Sequence, residues 1–291
     1  MKESDRPTPG TLHVVPTPIG NLEDITLRAL RVLNEAHFIA AEDTRHTKKL
    51  LNHFNIHPVE LFSYREQNSR EAGAKIIALL ERGHPGVVVS DAGMPAISDP
   101  GFTLVAELVK LGLPIVVLPG PSASLTALVG SGLSTETFSF HGFLDRRSKW
   151  RKIALEFLKM RPETLIFFES PHRIGKSLAD MHAVFGDRQV VIARELTKVH
   201  EQYARGRLSE WNTLLLPDAA RGEMVVLIEG LAAASSLAQT ADAVSCEGES
   251  VAQHVERLMD AGLDKKEAMR EVAKARSMSR RAVYQTLLLK E

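Results

Sequence analysis

The sequence predicts an α/β fold with a mostly parallel sheet, because short apolar runs alternate with amphipathic helical segments along roughly the first 120 residues. The clearest strand, Val87–Val89, is followed by a loop with two glycines, two prolines and two aspartates before helical periodicity resumes at Phe102. Ligands of α/β proteins bind at the carboxyl ends of strands. We therefore expect the loop at 90–101 to be a binding loop.

Further strands and helices follow in alternation. The first-half strands are predicted at Leu12–Val15, His37–Ala41, Leu61–Tyr64, Val87–Val89 and Ile115–Leu118. Apolar spacing predicts a first helix after residue 24, which Asp24 or Thr26 could cap. This half is expected to form an N-terminal α/β domain over residues 11–120.

A second α/β domain with a mixed sheet is predicted over residues 121–230. Its strands are expected at Thr137–His141, Thr164–Phe168, Gln189–Ala193, Val199–Arg205 and Met224–Glu229. The last two of these are expected to pair with each other in antiparallel fashion. Residues 231–250 are rich in Ala and Ser and predict a linker. Three short helical stretches then predict a small helical module over residues 251–291.

Composition excludes several classes of protein. The 291 residues hold 36 basic and 36 acidic side chains, which argues against a protein that coats nucleic acid nonspecifically. The single cysteine, Cys246, allows no internal disulfide and no thiolate metal cluster. No run of eighteen apolar residues and no apolar leader occurs, so we expect no membrane span and a cytoplasmic location.

Missing motifs narrow the chemistry further. Neither a P-loop nor a Gly-x-Gly-x-x-Gly fingerprint is present, and the histidines show no metal-ligand spacing. The loop after the first strand holds Pro16 and Pro18 instead, and proline lacks the N–H that cradles a phosphate. These loops favour an uncharged or zwitterionic ligand held in a crevice between the two domains.

Four motifs resemble the tetrapyrrole methylase fold, the class III S-adenosylmethionine-dependent methyltransferases. They are Thr17–Asn21, Ser90–Pro95, Pro119–Ala123 and Gly222–Met224. Within that fold, three further motifs look like the bacterial family of ribosomal RNA small subunit methyltransferases I. These are Ala41–Thr47, Phe168–Arg173 and Ala193–Lys198. The resemblance covers roughly residues 11–230. It implies transfer of a methyl group from S-adenosylmethionine to the ribose 2′-oxygen of a decoding-region cytidine in 16S ribosomal RNA.

The same resemblance implies a set of cofactor-binding residues, a partner and an oligomeric state. The implied cofactor-binding residues are Asp91, Gly93, Met94, Ile97, Ser122, Ala123, Phe168, Leu196, Glu223 and Met224. The implied partner is 16S ribosomal RNA or the small ribosomal subunit, and a homodimer is usual in this fold.

A ribose hydroxyl is a weak acid, so a base would assist its attack. Asp43, Glu169 and Lys198 are the candidates, and the sequence does not choose between them. The basic residues beside them, Arg45, Arg173 and Arg194, are candidates for holding a backbone phosphate. Simpler interpretations stay open: Asp43 would also suit a helix cap that Arg45 neutralises, and Ser170-Pro171 is ordinary helix-start chemistry.

The C-terminal module is a second candidate for RNA contact. Residues 251–291 carry nine Lys or Arg against six Asp or Glu, and the spacing loosely resembles a helix-turn-helix. The candidate RNA-binding residues are Lys274, Arg276, Arg280 and Arg281. A small capping domain is the alternative. For the whole chain, a tetrapyrrole C-methyltransferase and a non-enzymatic ribosome assembly factor are the rival functions.

Overall fold

The computed structural model describes residues 8–97, 101–214, 222–231, 250–260, 263–276 and 278–288. The chain divides into two compact units, Met1–Glu229 and Gly230–Glu291. Within the described ranges the first unit contains ten strands and eight helices. The strands are β1 (Leu12–Val14), β2 (Phe38–Ala41), β3 (Glu60–Ser63), β4 (Gly86–Val89), β5 (Ile115–Val117), β6 (Phe138–Phe143), β7 (Thr164–Glu169), β8 (Gln189–Arg194), β9 (Gln202–Arg207) and β10 (Met224–Ile228). The helices are α1 (Leu27–Glu35), α2 (Thr44–His53), α3 (Ser69–Glu81), α4 (Phe102–Lys110), α5 (Ala123–Ser131), α6 (Ser148–Leu158), α7 (Ile174–Phe185) and α8 (Trp211–Leu214).

The first sheet is fully parallel, with strand order β3-β2-β4-β1-β5. Its central strand β4 is buried along its whole length, because helices cover both faces. Val87 and Val89 pack into one apolar cluster with residues of α1, and Val88 packs into another with residues of α3 and α4. The α/β fold predicted from alternating apolar runs is confirmed.

Local sequence fixes where the helices begin. Of the two residues predicted to cap the first helix, Thr26 does so: its hydroxyl accepts a hydrogen bond from the backbone N–H of Ala29 at 3.0 Å. Asp43 caps α2 in the same way, accepting from the N–H of Arg45 at 2.8 Å. The helices that follow the strands therefore start at the edge where the strands end.

The second sheet is mixed, with strand order β6-β7-β10-β8-β9. The prediction that residues 199–205 pair with 224–229 is wrong. β9 pairs with β8, and β10 lies in the centre between β7 and β8. Burial explains the difference: every residue of β10 is buried, as a central strand requires, whereas β9 alternates between half-buried and exposed residues and forms an edge.

Backbone contacts join the loops that follow the strands. Thr17, after β1, and Gly93, after β4, form an antiparallel bridge with N···O distances of 3.0 and 2.9 Å. Gly93 has a φ of +77°, which favours glycine. Gly20 lies so close to residues 196–198 that a Cβ there would come within 2.5 Å of Lys198 Cγ. The loop after β1 thereby contacts loops from both sheets.

The second unit holds three helices in its described residues: α9 (Val251–Asp260), α10 (Lys265–Ala275) and α11 (Arg280–Leu288). These match the three predicted stretches, and they share a small apolar core that includes Val255, Val272 and Val283. Arg276 donates a hydrogen bond to His254 at 3.3 Å. The side chains of Lys274, Arg280 and Arg281, and residues 232–249 of the predicted linker with Cys246, lie outside the described residues. No described helix of either unit has the length and apolar character to cross a membrane.

Candidate functional site

A cavity of about 300 Å³ lies in the first unit, between the strand-end loops of the two sheets. All ten residues that the sequence predicted to bind a cofactor line it. They are Asp91, Gly93, Met94, Ile97, Ser122, Ala123, Phe168, Leu196, Glu223 and Met224. The first sheet contributes the loops after β1, β2, β4 and β5, and the second contributes the ends of β6, β7 and β8 and the start of β10. The cavity therefore lies where ligands bind in α/β folds.

The wall from the first sheet carries two carboxylates. Glu42 follows β2 and Asp91 follows β4, and both line the cavity. Glu42 Oε2 accepts a hydrogen bond from the backbone N–H of Asp91 at 3.3 Å, and Asp91 Oδ1 accepts one from the N–H of Asp43 at 3.0 Å. Burial raises the pKa of Glu42, and the nearby Asp91 carboxylate adds to this shift. This wall suits hydroxyl groups or positive charge on a ligand.

Glu42 was not among the residues predicted from the sequence, although a signal for it was present. It directly follows the fully buried run Phe38–Ala41, so its side chain had to emerge at the carboxyl end of an inner strand. The prediction chose its neighbour Asp43 instead. Asp43 lies outside the set of described residues that line the cavity.

Apolar and aromatic groups also line the cavity, beside the charged residues that the second sheet contributes. Leu196 and Met224 are nearly buried there, and Ile19 from the loop after β1 joins them. The ring of Phe168 lies beneath two further rings, with centroid distances of 4.7 Å to Phe140 and 5.6 Å to Phe143. A flat apolar group such as a purine would find van der Waals partners on this side.

Glu169 is buried at the end of β7, and both of its carboxylate oxygens have partners. Oε1 accepts from the backbone N–H of Ser170 at 2.8 Å and from Arg173 Nε at 2.9 Å, and Oε2 accepts from the hydroxyl of Ser177. Arg173 also donates to the carbonyl of Leu144 at 3.1 Å. The pair thus ties β7 and α7 to the end of β6, and Glu169 reaches the cavity wall while fully bonded.

The loop after β8 brings Lys198 to the cavity. Its ammonium lies 2.9 Å from Glu195 Oε1, and both residues line the cavity. Glu195 and Thr197 have positive φ values of 50° and 65°. This conformation strains the backbone of residues other than glycine, and such strain is often found at functional sites. Arg194 ends β8, is half-buried, and is not among the described residues that line the cavity.

Asp43, which is half-buried, pairs with the exposed Arg45 beside the site. Arg45 Nη2 lies 2.6 Å from Asp43 Oδ2, and the arginine side chain is 83% exposed. The hydrogen bonds from Arg45 hold the pKa of Asp43 well below its usual range. Asp43 therefore caps a helix and pairs with an arginine, as the simpler interpretation allowed.

The residues of the cavity fit S-adenosylmethionine. Carboxylates of the lining complement its positive charge and its ribose hydroxyls, and the apolar side chains can cover its adenine. Among the described residues, no cluster of His, Cys, Asp or Glu has the composition to hold a metal ion.

Comparison with known sequences gives close matches. The sequence profile of the Tetrapyrrole (Corrin/Porphyrin) Methylases matches residues 11–212. The chain is 47% identical to a ribosomal RNA small subunit methyltransferase I from Halalkalibacterium halodurans over 275 residues, which cover 94% of this chain and 93% of the relative. It is 42% identical to the protein of the same name from Bacillus subtilis, over 97% of this chain and 95% of the relative.

Solved structures share the fold at lower identity. A uroporphyrin-III C-methyltransferase from Thermus thermophilus, crystallised with S-adenosyl homocysteine, superimposes with a TM-score of 0.55 and 18% identity, covering 78% of this chain and all of that one. A diphthine synthase gives a TM-score of 0.59 with 15% identity, covering 76% of this chain and 90% of that one. At these identities the likeness concerns the fold alone.

Proposed function

The chain belongs to the tetrapyrrole methylase family, in the group of the ribosomal RNA small subunit methyltransferases I, and on this basis we propose that it is an S-adenosylmethionine-dependent methyltransferase of small-subunit ribosomal RNA. The acceptor we propose is the ribose 2′-oxygen of a decoding-region cytidine in 16S RNA. The observation that carries the proposal is the cavity, whose lining combines carboxylates with aromatic and apolar groups.

The charged and the apolar residues of the cavity have separate tasks in this proposal. S-adenosylmethionine, when bound, supplies a methyl group on a sulfonium for in-line displacement by an oxygen nucleophile. The carboxylates of Glu42 and Asp91 hold the polar and cationic parts of the donor, while Phe168, Leu196 and Met224 exclude water from it. Because the donor is already activated, the protein acts mainly by positioning the two reactants.

The three candidates for the base have different surroundings. Asp43 and Glu169 are occupied by arginine partners and by backbone N–H groups. Lys198 lines the cavity and keeps about a third of its side chain exposed, with Glu195 as its partner. We propose that Lys198 contacts the RNA acceptor and that Glu169 and Asp43 act by positioning the loops. Arg45, Arg173 and Arg194 remain our proposed phosphate contacts, together with Lys274, Arg276, Arg280 and Arg281 of the C-terminal module.

Methyl transfer to ribosomal particles tests the proposal. Small subunits from cells that lack the protein would be incubated with radiolabelled S-adenosylmethionine, and 2′-O-methylation would be mapped along 16S RNA. We expect one methylated cytidine in the decoding region. Label in uroporphyrinogen but not in RNA would identify a tetrapyrrole methyltransferase instead. RNA binding without detectable donor binding by calorimetry would identify an assembly factor.

We also propose a cytoplasmic homodimer with the domain boundaries given by the sequence, namely 11–120, 121–230 and a module at 251–291 joined by a linker at 231–250. Exposed apolar side chains support a dimer: Val117 lies on the edge strand β5, and Leu125 and Val129 lie one turn apart on α5. Light scattering after size exclusion should give twice the mass of the chain. A monomeric mass at micromolar concentration would contradict the dimer.

A further inference from the structure

An exposed aromatic ring stands at the rim of the cavity. Phe143 is the last residue of β6, lines the cavity and is 57% exposed, although large apolar side chains are usually covered. One contact of the ring is Phe168, at a centroid distance of 5.6 Å. The ring is therefore supported from the cavity wall while much of its surface remains open.

A β-bulge turns Phe143 toward the cavity. β6 pairs with β7 in the register Phe140↔Ile166, which would place Gly142 opposite Phe168. The residue opposite Phe168 is instead Phe143, so β6 contains one extra residue. Gly142, within the bulge, has a φ of +58°. Without the extra residue, Gly142 would share the face of Phe140 and Phe143 would point to the opposite face. Bulges next to functional sites commonly redirect one side chain in this way.

Basic residues follow Phe143 in the sequence. Arg146 and Lys149 are exposed, and neither is paired with a carboxylate in the described part of the protein. The neighbouring basic residues are paired: Arg147 binds Asp145, and Arg151 and Lys152 bind Asp180. Proteins that bind single-stranded nucleic acid combine exposed aromatic rings, on which bases stack, with nearby cations that contact the phosphates. An exposed ring followed within six residues by two exposed cations fits this pattern.

We propose that Phe143 is the stacking platform for the base of the nucleotide that is methylated, or of its immediate neighbour, and that Arg146 and Lys149 contact the adjoining phosphates. This inference rests on the proposed function and adds the RNA subsite to it. Both rings line the cavity, but Phe168 is half-buried, whereas Phe143 is exposed and precedes the basic segment in the sequence. Stacking there orients the ribose without any base-specific hydrogen bond.

Steady-state methylation of small subunits by Phe143→Ala, Phe143→Leu and Phe143→Trp tests this assignment. Stacking on one aromatic ring is worth about 1–3 kcal/mol per base, so we expect KM for the subunit to rise roughly 5- to 150-fold in Phe143→Ala. Phe143→Leu should behave like the alanine variant, although it keeps an apolar contact with Phe168, and Phe143→Trp should restore most of the affinity. Calorimetric affinity for S-adenosyl homocysteine should stay within about twofold in all three.

Phe138→Ala is the matched control, since Phe138 lies on the same edge strand, is 44% exposed and is not among the described residues that line the cavity. It should leave KM unchanged. An equal KM for Phe143→Ala and wild type would overturn the stacking role while the proposed function stands. Lost affinity for S-adenosyl homocysteine would show that the ring serves the donor, which also overturns it. A wild-type protein that methylates no subunit would refute the proposed function and this inference with it.

Discussion

Two acid–arginine pairs of this protein look alike in sequence and differ in structure. Asp43–Arg45 follows β2 and Glu169–Arg173 follows β7, and both were candidates for a base beside a phosphate contact. In the first pair Arg45 is 83% exposed and Asp43 caps a helix, whereas the Glu169 side chain is 1% exposed and bonded through both oxygens. The burial of the two partners, which the residue types do not show, separates a surface pair from a structural one. Four variants test this difference.

The largest effect is expected for Arg173→Ala. It would leave the buried carboxylate of Glu169 without its cation, and removing one partner of a buried ion pair typically costs about 3–5 kcal/mol. Urea unfolding should show that loss in the free energy of unfolding, with an unchanged m-value. A loss below about 1 kcal/mol would mean that Glu169 is solvated in solution.

A smaller effect is expected for Ser177→Ala. The Ser177 hydroxyl donates to Glu169 Oε2, and a buried acceptor that loses its donor costs about 1–3 kcal/mol. The same unfolding measurement should place this variant between wild type and Arg173→Ala. If it is as stable as wild type, the second oxygen of Glu169 finds another partner, and the pair is less rigid than described.

Glu42→Gln tests an acid of the site that has no arginine paired to its carboxylate in the described structure. Burial raises the pKa of Glu42, so it takes up a proton at a higher pH than an ordinary glutamate, and its negative charge is lost as the pH falls through that raised value. Affinity for S-adenosylmethionine should therefore fall on acidification in the wild type, and this part of the pH profile should be flatter in Glu42→Gln. Calorimetric titrations between about pH 5 and 8 would measure it. If wild type and Glu42→Gln show the same dependence of affinity on pH, Glu42 does not contact the donor.

The smallest effect on stability is expected for Arg45→Ala, since exposed ion pairs contribute little. Its effect on titration should be clear. Hydrogen bonds from Arg45 lower the pKa of Asp43, so the stabilisation from this carboxylate is present above the pKa of the unfolded chain and is lost only as the pH falls through the lower folded value. Carbon-detected NMR should show the Asp43 midpoint move upward in the variant. An unmoved midpoint would contradict the pairing.

Much of the fold was predictable because buried helices and strands have apolar residues at characteristic spacings in the sequence. Val87–Val89 could be identified as an inner strand from its apolar run, and the three helices of the C-terminal unit from their spacing. The strand order of the second sheet could not, since pairing depends on contacts distant in sequence. The apolar run in β10 indicates an inner strand of the sheet, but only the structure shows that β8 is its neighbour.

The site was predictable to a similar extent. The ten cavity residues came from loop motifs and a family resemblance, and all ten line one cavity. Glu42 and Phe143 were missed for different physical reasons. Glu42 lies beside a more conspicuous aspartate, and the direction of Phe143 depends on a bulge that reverses the strand alternation. Spacing alone assigns Phe143 to the opposite face.

The bridge between Thr17 and Gly93 has a kinetic consequence. Two backbone hydrogen bonds tie Gly93 to the loop after β1, so the segment around Gly93 has less chain entropy to lose on association. We therefore expect the donor to bind without ordering of this segment. We expect its association rate to be the same whether or not a ribosomal particle is present.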